Sequence, residues 1–504
     1  MPMSLADDSP TGRDPESHST ANHDFLADAR VDDLADGSGT VSCDIAVIGG
    51  GPAGAAAAIY AARAGWDVVL VDQAEFPRDK TCGDGLTPRA MAKLRELGIL
   101  DGVNPGYRNR GLKLHGFGGS VTAAWPDGHF GAAGTAWPRR DLDNYLLQHA
   151  AAAGARVWTG YSGADVVVKN NAIETITVRR VGGRGGSSGQ HGPHDQADAG
   201  LGDQQPSASE ITLRPRWTIV ADGVRSTFGK KLGREWHRSE VYGIAARSYC
   251  SSPYSDEPWM HSHVELTDEN GAVQPGYGWI FPLGDGTVNL GCGALSTDKR
   301  PAAINTKKLL EFYAGQQREA WGLGEPREVA SALLPMGGAV SNVAGANWML
   351  IGDAAACVNP LNGEGIDYGL ETAELAVGLL GGSGGVGPRN SASVPRLGSC
   401  GHFPLSPAVD LTLVWPEVLR AHFGEAFMWA RTAARLLTYP QFLPVFGPLG
   451  LRGPAARYLM PAAARLMGNL VTEEDLDLIS RLWKKAGKYA ATARADTPLW
   501  DSTV

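Results

Sequence analysis

The sequence predicts an α/β fold, and three consecutive segments near its amino-terminal end are the reason. Residues 43–48 form a short apolar run, rich in β-branched side chains and followed by glycines, as a buried parallel strand requires. Residues 52–64 are rich in alanine and predict a helix, which Gly65 ends. Residues 67–71 form a second apolar strand. Together the three segments make one βαβ unit, the repeating element of a parallel sheet.

The composition is that of a globular, enzyme-sized chain. The 504 residues are 43% hydrophobic and 20% charged, which suits two or three domains. Residues 1–40 contain nine acids and two arginines, so most of the net charge of −9 lies there, and the remainder lacks the basic field of a nucleic-acid-binding protein. No run of 18 apolar residues occurs, so no bilayer-spanning helix is expected. The six cysteines form no CxxC pair, and no metal site is expected.

Three segments have too few apolar residues to fold by burying them. Residues 1–40 predict a disordered acidic tail, which lacks the apolar stretch of a secretory signal. Residues 182–209 are rich in Gly, Gln, Asp and Ser and predict a disordered hairpin tip between strands at 173–179 and 211–214. Residues 381–404 predict a second disordered insert, which follows a helix.

A glycine-rich loop connects the first predicted strand to the first predicted helix. Its sequence, GGGPAG at 49–54, matches the G-x-G-x-x-G pattern, and its place between strand and helix makes this common pattern specific for dinucleotide binding. Gly49 permits the tight turn, Gly51 lets the backbone approach a pyrophosphate, and Gly54 lets the helix pack on the strand. Asp72 closes the second strand, where an acid accepts hydrogen bonds from ribose hydroxyls and favours FAD or NAD over NADP. The residues predicted to bind the dinucleotide here are Gly49, Gly51, Pro52, Ala53, Gly54, Asp72 and Gln73.

Two later strands end in further loop motifs. A strand starting at 218 ends in ADG at 221–223, and a strand at 347–351 is followed by GDAA at 352–355 and by GEG at 363–365, which opens a helix to about residue 380. This order of motifs resembles the FAD-dependent oxidoreductases of the hydroxylase and reductase superfamily. The resemblance implies FAD as cofactor, with the amides of the helix near Gly363 directed at the flavin, where their dipole stabilises the charge of the reduced ring. The cofactor contacts that it implies are Arg139, Asp222, Gly352, Asp353, Gly363, Gly365 and Ile366.

The same resemblance implies an α/β fold like that of p-hydroxybenzoate hydroxylase, with a Rossmann-type FAD-binding domain and an interleaved β-sheet substrate domain. The FAD-binding domain is predicted to be discontinuous, over residues 41–115, 130–170, 211–235 and 345–380. The substrate domain is predicted over residues 116–129 and 236–344. Residues 405–504 are predicted to form a C-terminal helical region.

Two segments favour a reductase. Residues 76–89 contain CGDG at 82–85, and residues 275–284 contain YGWIFP at 277–282; both resemble the geranylgeranyl reductase family, flavoenzymes that reduce isoprenoid double bonds. The likeness is closer to the actinobacterial menaquinone reductases, which saturate one isoprene unit of the menaquinone tail. The alternatives are reduction of geranylgeranyl diphosphate or another prenyl lipid, aromatic hydroxylation by an FAD monooxygenase, and a lipid-binding scaffold without flavin. The resemblance adds Cys82, Gly83, Asp84 and Gly85 to the implied cofactor contacts.

Three residues are predicted to be catalytic. An isolated isoprene double bond is not polarised, so hydride transfer to it requires a proton source and the exclusion of water. Tyr277 and Trp279 lie two residues apart on a predicted strand and therefore face one side of it, where their rings would line an apolar slot. Cys82 lies beside the expected flavin and is predicted to donate a proton or to gate the site. The alternatives are sheet core for the two aromatic residues, an inert thiol for Cys82, and capping and charging of the helix start for Asp84 and Arg89.

A prenyl quinone lies in the bilayer, so an enzyme that acts on it must reach a membrane. Residues 418–470 contain six arginines and one acid, among aromatic residues in short helical pieces broken by Pro440, Pro444 and Pro448. This pattern predicts a monotopic, interfacial surface at the cytoplasmic face of the cell membrane, and an apolar cap over the substrate domain is the alternative. No second nucleotide loop with a suitable context occurs, so the sequence leaves the electron donor open between a ferredoxin, another protein and transient NAD(P)H.

Overall fold

The computed structural model describes residues 39–181, 210–381, 410–452, 456, 462, 465–472, 475–493 and 497–501. The predicted acidic tail up to residue 38, the predicted insert 182–209 and the predicted insert from residue 382 onward lie outside the described residues. The rest forms two large β-sheets with helices packed on them, a layered α/β arrangement in agreement with the predicted fold class.

In chain order the strands are β1 Thr40–Ile48, β2 Val68–Asp72, β3 Gly85–Leu86, β4 Gly111–Gly116, β5 Gly119–Ala124, β6 Thr135–Ala136, β7 Arg156–Thr159, β8 Tyr161–Lys169, β9 Ala172–Arg180, β10 Glu210–Val220, β11 Glu235–Trp236, β12 Tyr242–Ser251, β13 Met260–His263, β14 Gly276–Pro282, β15 Thr287–Ser296, β16 Arg327–Pro335, β17 Val340–Ser341 and β18 Trp348–Leu350.

The helices are α1 Pro52–Arg63, α2 Pro88–Glu96, α3 Arg139–Ala152, α4 Thr227–Lys231, α5 Thr306–Trp321, α6 Ile366–Leu379, α7 Leu411–Leu419, α8 Glu425–Leu437, α9 Phe442–Arg452 and α10 Leu478–Ala493. Short 3₁₀ turns cover Leu100–Gly102 and Gly352–Ala355, and a π-helical turn, Arg420–Gly424, joins α7 to α8. Of the described residues, no helix is both long enough and apolar enough to cross a bilayer.

The first sheet has the strand order β7-β2-β1-β10-β9-β8, with β18 paired to the far end of β10. Strands β7, β2, β1, β10 and β18 are parallel, whereas β10, β9 and β8 are joined by antiparallel pairing. Strand β10 is one continuous strand, although the sequence predicts separate strands at 211–214 and from 218. The charged residues Arg214 and Arg216 interrupt the apolar run but lie on the exposed face, with Pro215 buried between them, so the alternation of a single strand continues through them.

The carboxyl ends of the parallel strands meet at one edge of the first sheet. Gly49 follows β1, Asp72 ends β2, Ala221 follows β10 and Ile351 follows β18. Open parallel sheets bind ligands beyond the carboxyl ends of their strands, because the crossover connections leave a crevice there. The fold therefore brings all the predicted loop motifs to the same edge.

The second sheet has the order β16-β12-β15-β14-β13-β4-β5, and its pairs are antiparallel except for β13 with β4. One face buries Ile280 and Leu290 against Leu310 and Tyr313 of α5. Strand β4 belongs to this sheet because it pairs with both β5 and β13. Residues 111–115 therefore lie in the second sheet, whereas the sequence analysis assigns them to the FAD-binding domain.

Helix α6 begins at Ile366, whereas the sequence predicts a start near Gly363. Gly363 has φ 75°, a left-handed conformation that no helical residue adopts, and Gly365 is the N-cap with φ −148°. The glycines therefore form a turn ahead of the helix.

A pair of helical glycines provides a test of the packing between α1 and the first sheet. A Cβ at Gly54 would overlap the carbonyl oxygen of Gly49, whereas exposed Gly378 in α6 has no atom within 4 Å of an added Cβ. We expect Gly54→Ala to destabilise the protein by about 1–3 kcal/mol, because the helix must move away from the strand. Gly378→Ala, the control, should stabilise by about 0.5–1 kcal/mol through higher helix propensity. Urea unfolding of the two variants measures both effects, and equal changes in the two would contradict this packing role for Gly54.

Candidate active site

A cavity of about 1630 Å³ lies between the carboxyl edge of the first sheet and one face of the second. Single ligand pockets commonly measure about 300–1,000 Å³, so this cavity is large enough for two ligands side by side. Apart from Gly54, every residue predicted from the sequence to bind the cofactor or to act in catalysis lines this cavity.

The phosphate-binding loop forms the polar end of the cavity. Gly49 has φ 109°, and a Cβ there would overlap the carbonyl of Ala221 in the next strand, so only glycine fits. Helix α1 starts at Pro52 with no side-chain cap and no acid in its first turn, so its backbone N–H groups are available to an anion. Gly54 lies one layer behind, against Gly49, where it permits helix and strand to approach.

Asp72 orders this loop through the backbone. One carboxylate oxygen accepts from the N–H of Gly50 at 2.7 Å and the other from the N–H of Ala74 at 2.8 Å. Each oxygen can accept a further hydrogen bond, so the carboxylate can still serve a ribose hydroxyl. Gln73 lines the cavity next to it.

A cluster of basic side chains faces the loop. Arg139, the first residue of α3, is buried and binds Asp143 through two hydrogen bonds of 2.6 and 2.7 Å, and Arg78 binds the same carboxylate at 2.6 Å. The neighbouring Arg140 is exposed, so of these two adjacent arginines only Arg139 is buried. Lys80 also lines the cavity, and burial together with the charge of Arg139 lowers the pKa of its ammonium group.

These cations and the free helix end suit a diphosphate, because an anion there would relieve the repulsion between Lys80 and Arg139. The guanidinium nitrogens of Arg139 and Arg78 lie 3.7 and 3.9 Å from the position of a Cβ at Gly51, so both border the loop that would hold it. The geometry therefore fits the phosphates of FAD.

The two other acidic loop residues have different partners. Asp222 accepts hydrogen bonds from the Ser226 hydroxyl at 2.6 Å and from the N–H of Phe228 at 2.8 Å, so it fixes the start of α4. Asp353 lies near Lys80, Arg139 and Arg234; desolvation raises its pKa, and these three cations oppose that shift. Both carboxylates border the cavity.

Strand β14 forms an aromatic wall on the second sheet. Tyr277, Trp279 and Phe281 line the cavity, with ring centroids 5.9 and 6.3 Å apart along the strand. The indole N–H of Trp279 donates to the Asn289 amide oxygen at 2.9 Å, and the Tyr277 hydroxyl donates to the carbonyl of Asn362. The alternation of the strand thus turns these rings away from α5 and toward the cavity, as their spacing predicts.

The segment 82–85 lies across this wall. A Cβ at Gly83 would be 3.2 Å from the ring of Phe281 and 3.5 Å from the indole nitrogen of Trp279. The N–H of Asp84 donates to the sulfur of Cys82 at 3.4 Å. Burial raises the pKa of the Cys82 thiol, although Arg139 opposes that shift, so the sulfur keeps its proton.

Asp84 anchors this segment. It is fully buried and accepts hydrogen bonds from the Tyr249 hydroxyl at 2.6 Å, from the Asn289 amide at 2.8 Å and from the N–H of Arg139 at 3.2 Å. Burial raises its pKa to about 6, against these donors. Asp84 is not the cap of α2, because Thr87 is its N-cap. Arg89 lies in the first turn of α2 and binds Glu371 of α6 at 2.5 and 2.8 Å.

Several residues of the site were not predicted from the sequence. They are Arg78, Lys80, Arg234, Arg247, Tyr249, Asn289 and Glu364. Lys80 and Arg78 lie in the segment 76–89, and Glu364 lies between two motif glycines. The sequence analysis therefore identified the segments that contain these residues but not the side chains themselves. Tyr249 and Asn289 contact Asp84 across 165 and 205 residues, and no local pattern marks such a pair.

The C-terminal region closes the apolar end of the cavity. Phe442, Leu443, Phe446 and Leu451 of α9 line it together with Leu114 of β4.

Four of the described arginines of this region bind other groups of the protein, whereas the sequence predicts that they form a basic membrane face. Arg431 is fully buried beside Glu240 at 3.6 Å, because α8 packs against the body of the protein. Arg420 binds Glu417 at 2.6 Å, Arg465 binds Asp477 at 2.7 Å, and Arg452 donates to the carbonyl of Phe117.

The chain matches a protein-family model and curated relatives over most of its length. The model, described as an FAD binding domain, matches residues 42–380. A menaquinone reductase of Mycobacterium tuberculosis is 47% identical over 450 residues, which cover 89% of this chain and 96% of the relative. That of Mycolicibacterium smegmatis is 49% identical over 445 residues, 88% of this chain and 96% of the relative. Digeranylgeranylglycerophospholipid reductase 2 of Methanosphaera stadtmanae is 28% identical over 346 residues, 67% of this chain and 77% of the relative.

Solved structures share the fold at low identity. A geranylgeranyl bacteriochlorophyll reductase-like protein of Thermoplasma acidophilum has a TM-score of 0.62 at 17% identity, with 91% of this chain and 100% of that chain covered. A flavin-dependent brominase has a TM-score of 0.59 at 15% identity, with 90% and 100% covered. The predicted fold class and the predicted FAD cofactor are confirmed. This chain therefore belongs to the FAD binding domain family and is an FAD-dependent oxidoreductase related to the mycobacterial menaquinone reductases.

Proposed function

We propose that this protein reduces a C=C bond in a polyprenyl chain, and that its substrate is one isoprene unit of menaquinone. The observation that carries the proposal is the division of one cavity into a polar, cationic end and an apolar, aromatic end. The polar end fits FAD and the apolar end fits a hydrocarbon chain. Similarity to menaquinone reductases over most of both chains supports the same substrate.

The FAD would be held by the residues of the polar end. The loop from Gly49 to Ala53 and the start of α1 would hold the pyrophosphate, with Asp72 and Gln73 toward the adenosine ribose. The turn before α6, including Gly363 and Gly365, would lie against the flavin. The remaining proposed contacts are Cys82, Gly83, Asp84, Gly85, Arg139, Asp222, Gly352, Asp353 and Ile366. When bound and reduced, FAD supplies the hydride for the substrate.

The aromatic wall suits the chemistry of an unpolarised double bond. Protonation of one alkene carbon places positive charge on the other, and the faces of Tyr277 and Trp279 stabilise such charge while they exclude water. Cys82 lines the same cavity, and its carbonyl accepts from Asn289, the residue that also binds the indole of Trp279. These contacts favour a reductase over an aromatic hydroxylase of the same fold.

The apolar end favours a substrate without a charged headgroup. Among the described lining residues of β4, β13, β14 and α9 there is no lysine or arginine. A prenyl diphosphate would need cations at the end where it enters, because two phosphates must be neutralised on leaving water. A quinone with a long prenyl chain has no such need.

An exposed apolar patch surrounds this end of the cavity. It consists of Leu436, Tyr439, Val445, Phe446 and Leu449, of which Leu449 is 66% exposed. Phe446 belongs both to the patch and to the cavity lining. Contiguous exposed apolar residues indicate a membrane or protein contact. We infer that this patch seats the enzyme on the cytoplasmic face of the cell membrane and admits the prenyl chain.

Menaquinone reduction can be tested by mass spectrometry of the quinone. Under anaerobic conditions, the purified FAD-loaded enzyme, reduced with dithionite, should convert menaquinone to a product heavier by two hydrogen atoms in its prenyl chain. Parallel reactions with geranylgeranyl diphosphate should give no product. Reduction of geranylgeranyl diphosphate but not of menaquinone would show that the diphosphate, and not the quinone, is the substrate. Oxygen insertion into an aromatic compound with NAD(P)H and air would instead make the protein a monooxygenase.

The membrane contact can be tested with vesicles. Val445 and Leu449 are exposed and do not line the cavity, so the double variant Val445→Glu/Leu449→Glu should lower binding to phosphatidylcholine vesicles about tenfold or more. It should retain reduction of detergent-solubilised menaquinone. Val167→Glu, at a comparably exposed apolar residue of β8, is the control and should bind vesicles like the wild type. Unchanged binding by the double variant would refute the proposed membrane face.

A further inference from the structure

The carboxyl group of Glu364 lies in the cavity wall but is not among the groups that the proposed function uses. It lies in the turn before α6, between two glycines, and lines the cavity. One of its oxygens is 2.7 Å from the Thr87 hydroxyl, and the other is 3.4 Å from the side-chain amide of Asn362. The hydroxyl of Tyr277 binds the carbonyl of that same Asn362, so Glu364 adjoins the aromatic wall.

The surroundings of Glu364 favour its neutral form. Burial and the negative charge of Asp367 raise the pKa of this carboxyl well above its ordinary value, and Thr87 and Arg89 oppose the shift only in part. Arg89 is already bound by two hydrogen bonds to Glu371. The titratable groups that face Glu364 from the elements around it are Asp367 and Tyr368 of α6, Arg89 of α2 and Tyr277 of β14.

The other acidic groups of the cavity are poorer proton donors. Burial raises the pKa of Asp84 to about 6 as well, but both of its oxygens are already held by donors, namely Tyr249, Asn289 and the N–H of Arg139. Burial also raises the pKa of Asp353, but this carboxyl lies among the cations Lys80, Arg139 and Arg234, which favour its charged form. The Cys82 thiol and the Tyr277 hydroxyl are intrinsically weaker acids, and burial raises the pKa of each further. Glu364 therefore combines access to the cavity, a position beside the aromatic wall and surroundings that favour its neutral form.

We propose that Glu364 is the catalytic acid that protonates the double bond of the substrate; this rests on the proposed function. The π bond breaks, and one alkene carbon forms a C–H bond with the proton of the Glu364 carboxyl while the other forms a C–H bond with a hydride. The hydride brings two electrons from reduced FAD, which is thereby oxidised. Glu364 becomes a carboxylate and regains its proton from water before the next turnover.

The variant Glu364→Gln tests this assignment, because an amide keeps the shape and polarity of the side chain but is not an acid. We expect kcat for menaquinone to fall by about 100-fold or more, with FAD content and Tm like those of the wild type. Glu374→Gln is the matched control: Glu374 is in α6, the helix that follows this turn, binds Lys93 at 2.9 Å and does not line the cavity, so kcat should be unchanged.

A measurement without turnover tests the protonation state. The infrared carbonyl band of a neutral carboxyl should appear at neutral pH in FAD-loaded wild type and in Glu374→Gln, and its intensity should fall in Glu364→Gln. A band that persists in full in Glu364→Gln would overturn the proposal.

The pH profile of a second variant, Asp367→Asn, tests the assignment in case Glu364→Gln does not fold. Because the acid must be protonated, kcat should be present below its pKa and be lost as pH rises through it. Asp367→Asn removes the adjacent negative charge, so the pKa of Glu364 should fall and the alkaline limb of the profile should move to lower pH. An unmoved limb would contradict the assignment.

The two proposals fail in different ways. If the wild type leaves menaquinone unchanged, the proposed function is wrong and the assignment of Glu364 falls with it. If the wild type saturates menaquinone and a folded, FAD-loaded Glu364→Gln does so equally fast, only the assignment of Glu364 is wrong.

Discussion

The active site depends on the buried carboxylate of Asp84, which lies where the two sheets meet. A charge in such a place is tolerated only when donors replace the water that it loses. Tyr249 and Asn289 supply two of these donors from the second sheet, and the N–H of Arg139 supplies the third from the start of α3. The same carboxylate therefore holds the second sheet against the FAD-binding domain. Asn289 extends this connection, since it also binds Trp279 and the carbonyl of Cys82.

This connection explains how one cavity has two chemically different ends. The parallel strands bring backbone amides and the cations Arg78, Lys80 and Arg139 to one edge, where an anionic cofactor is stabilised. Across the gap, the alternation of β14 presents three aromatic rings, and α9 covers them with further apolar side chains. The proposed reaction needs water to be excluded where the two walls meet. The segment 82–85 lies at this place.

The fold itself is shared with enzymes of different chemistry, such as flavin-dependent halogenases. The carboxyl edge of the first sheet is the part that any FAD enzyme of this fold needs, whereas the face of the second sheet and the C-terminal helices decide what lies next to the cofactor. In this chain that face is aromatic and carries no lysine or arginine among the described residues of β13 and β14, and the mouth of the cavity is apolar. Substrate class is therefore a property of the second sheet and of α9.

The sequence by itself determined the parts of this protein that depend on neighbours along the chain. The first βαβ unit, its glycine loop and the facing of Tyr277 and Trp279 follow from short-range patterns, and β1, α1 and β2 lie within a few residues of their predicted bounds. The two later loop motifs are visible in the sequence, but their role was implied only by a family resemblance. The continuity of β10 and the place of β4 were decided by pairing with strands far away in the sequence. The surroundings that raise the pKa values of the acids come from tertiary contacts: Asp84 binds Asn289 across 205 residues, and Glu364 binds Thr87 across 277. The burial of Arg431 beside Glu240 is likewise a tertiary contact. Desolvation and charge pairing depend on such contacts, which no local sequence pattern encodes.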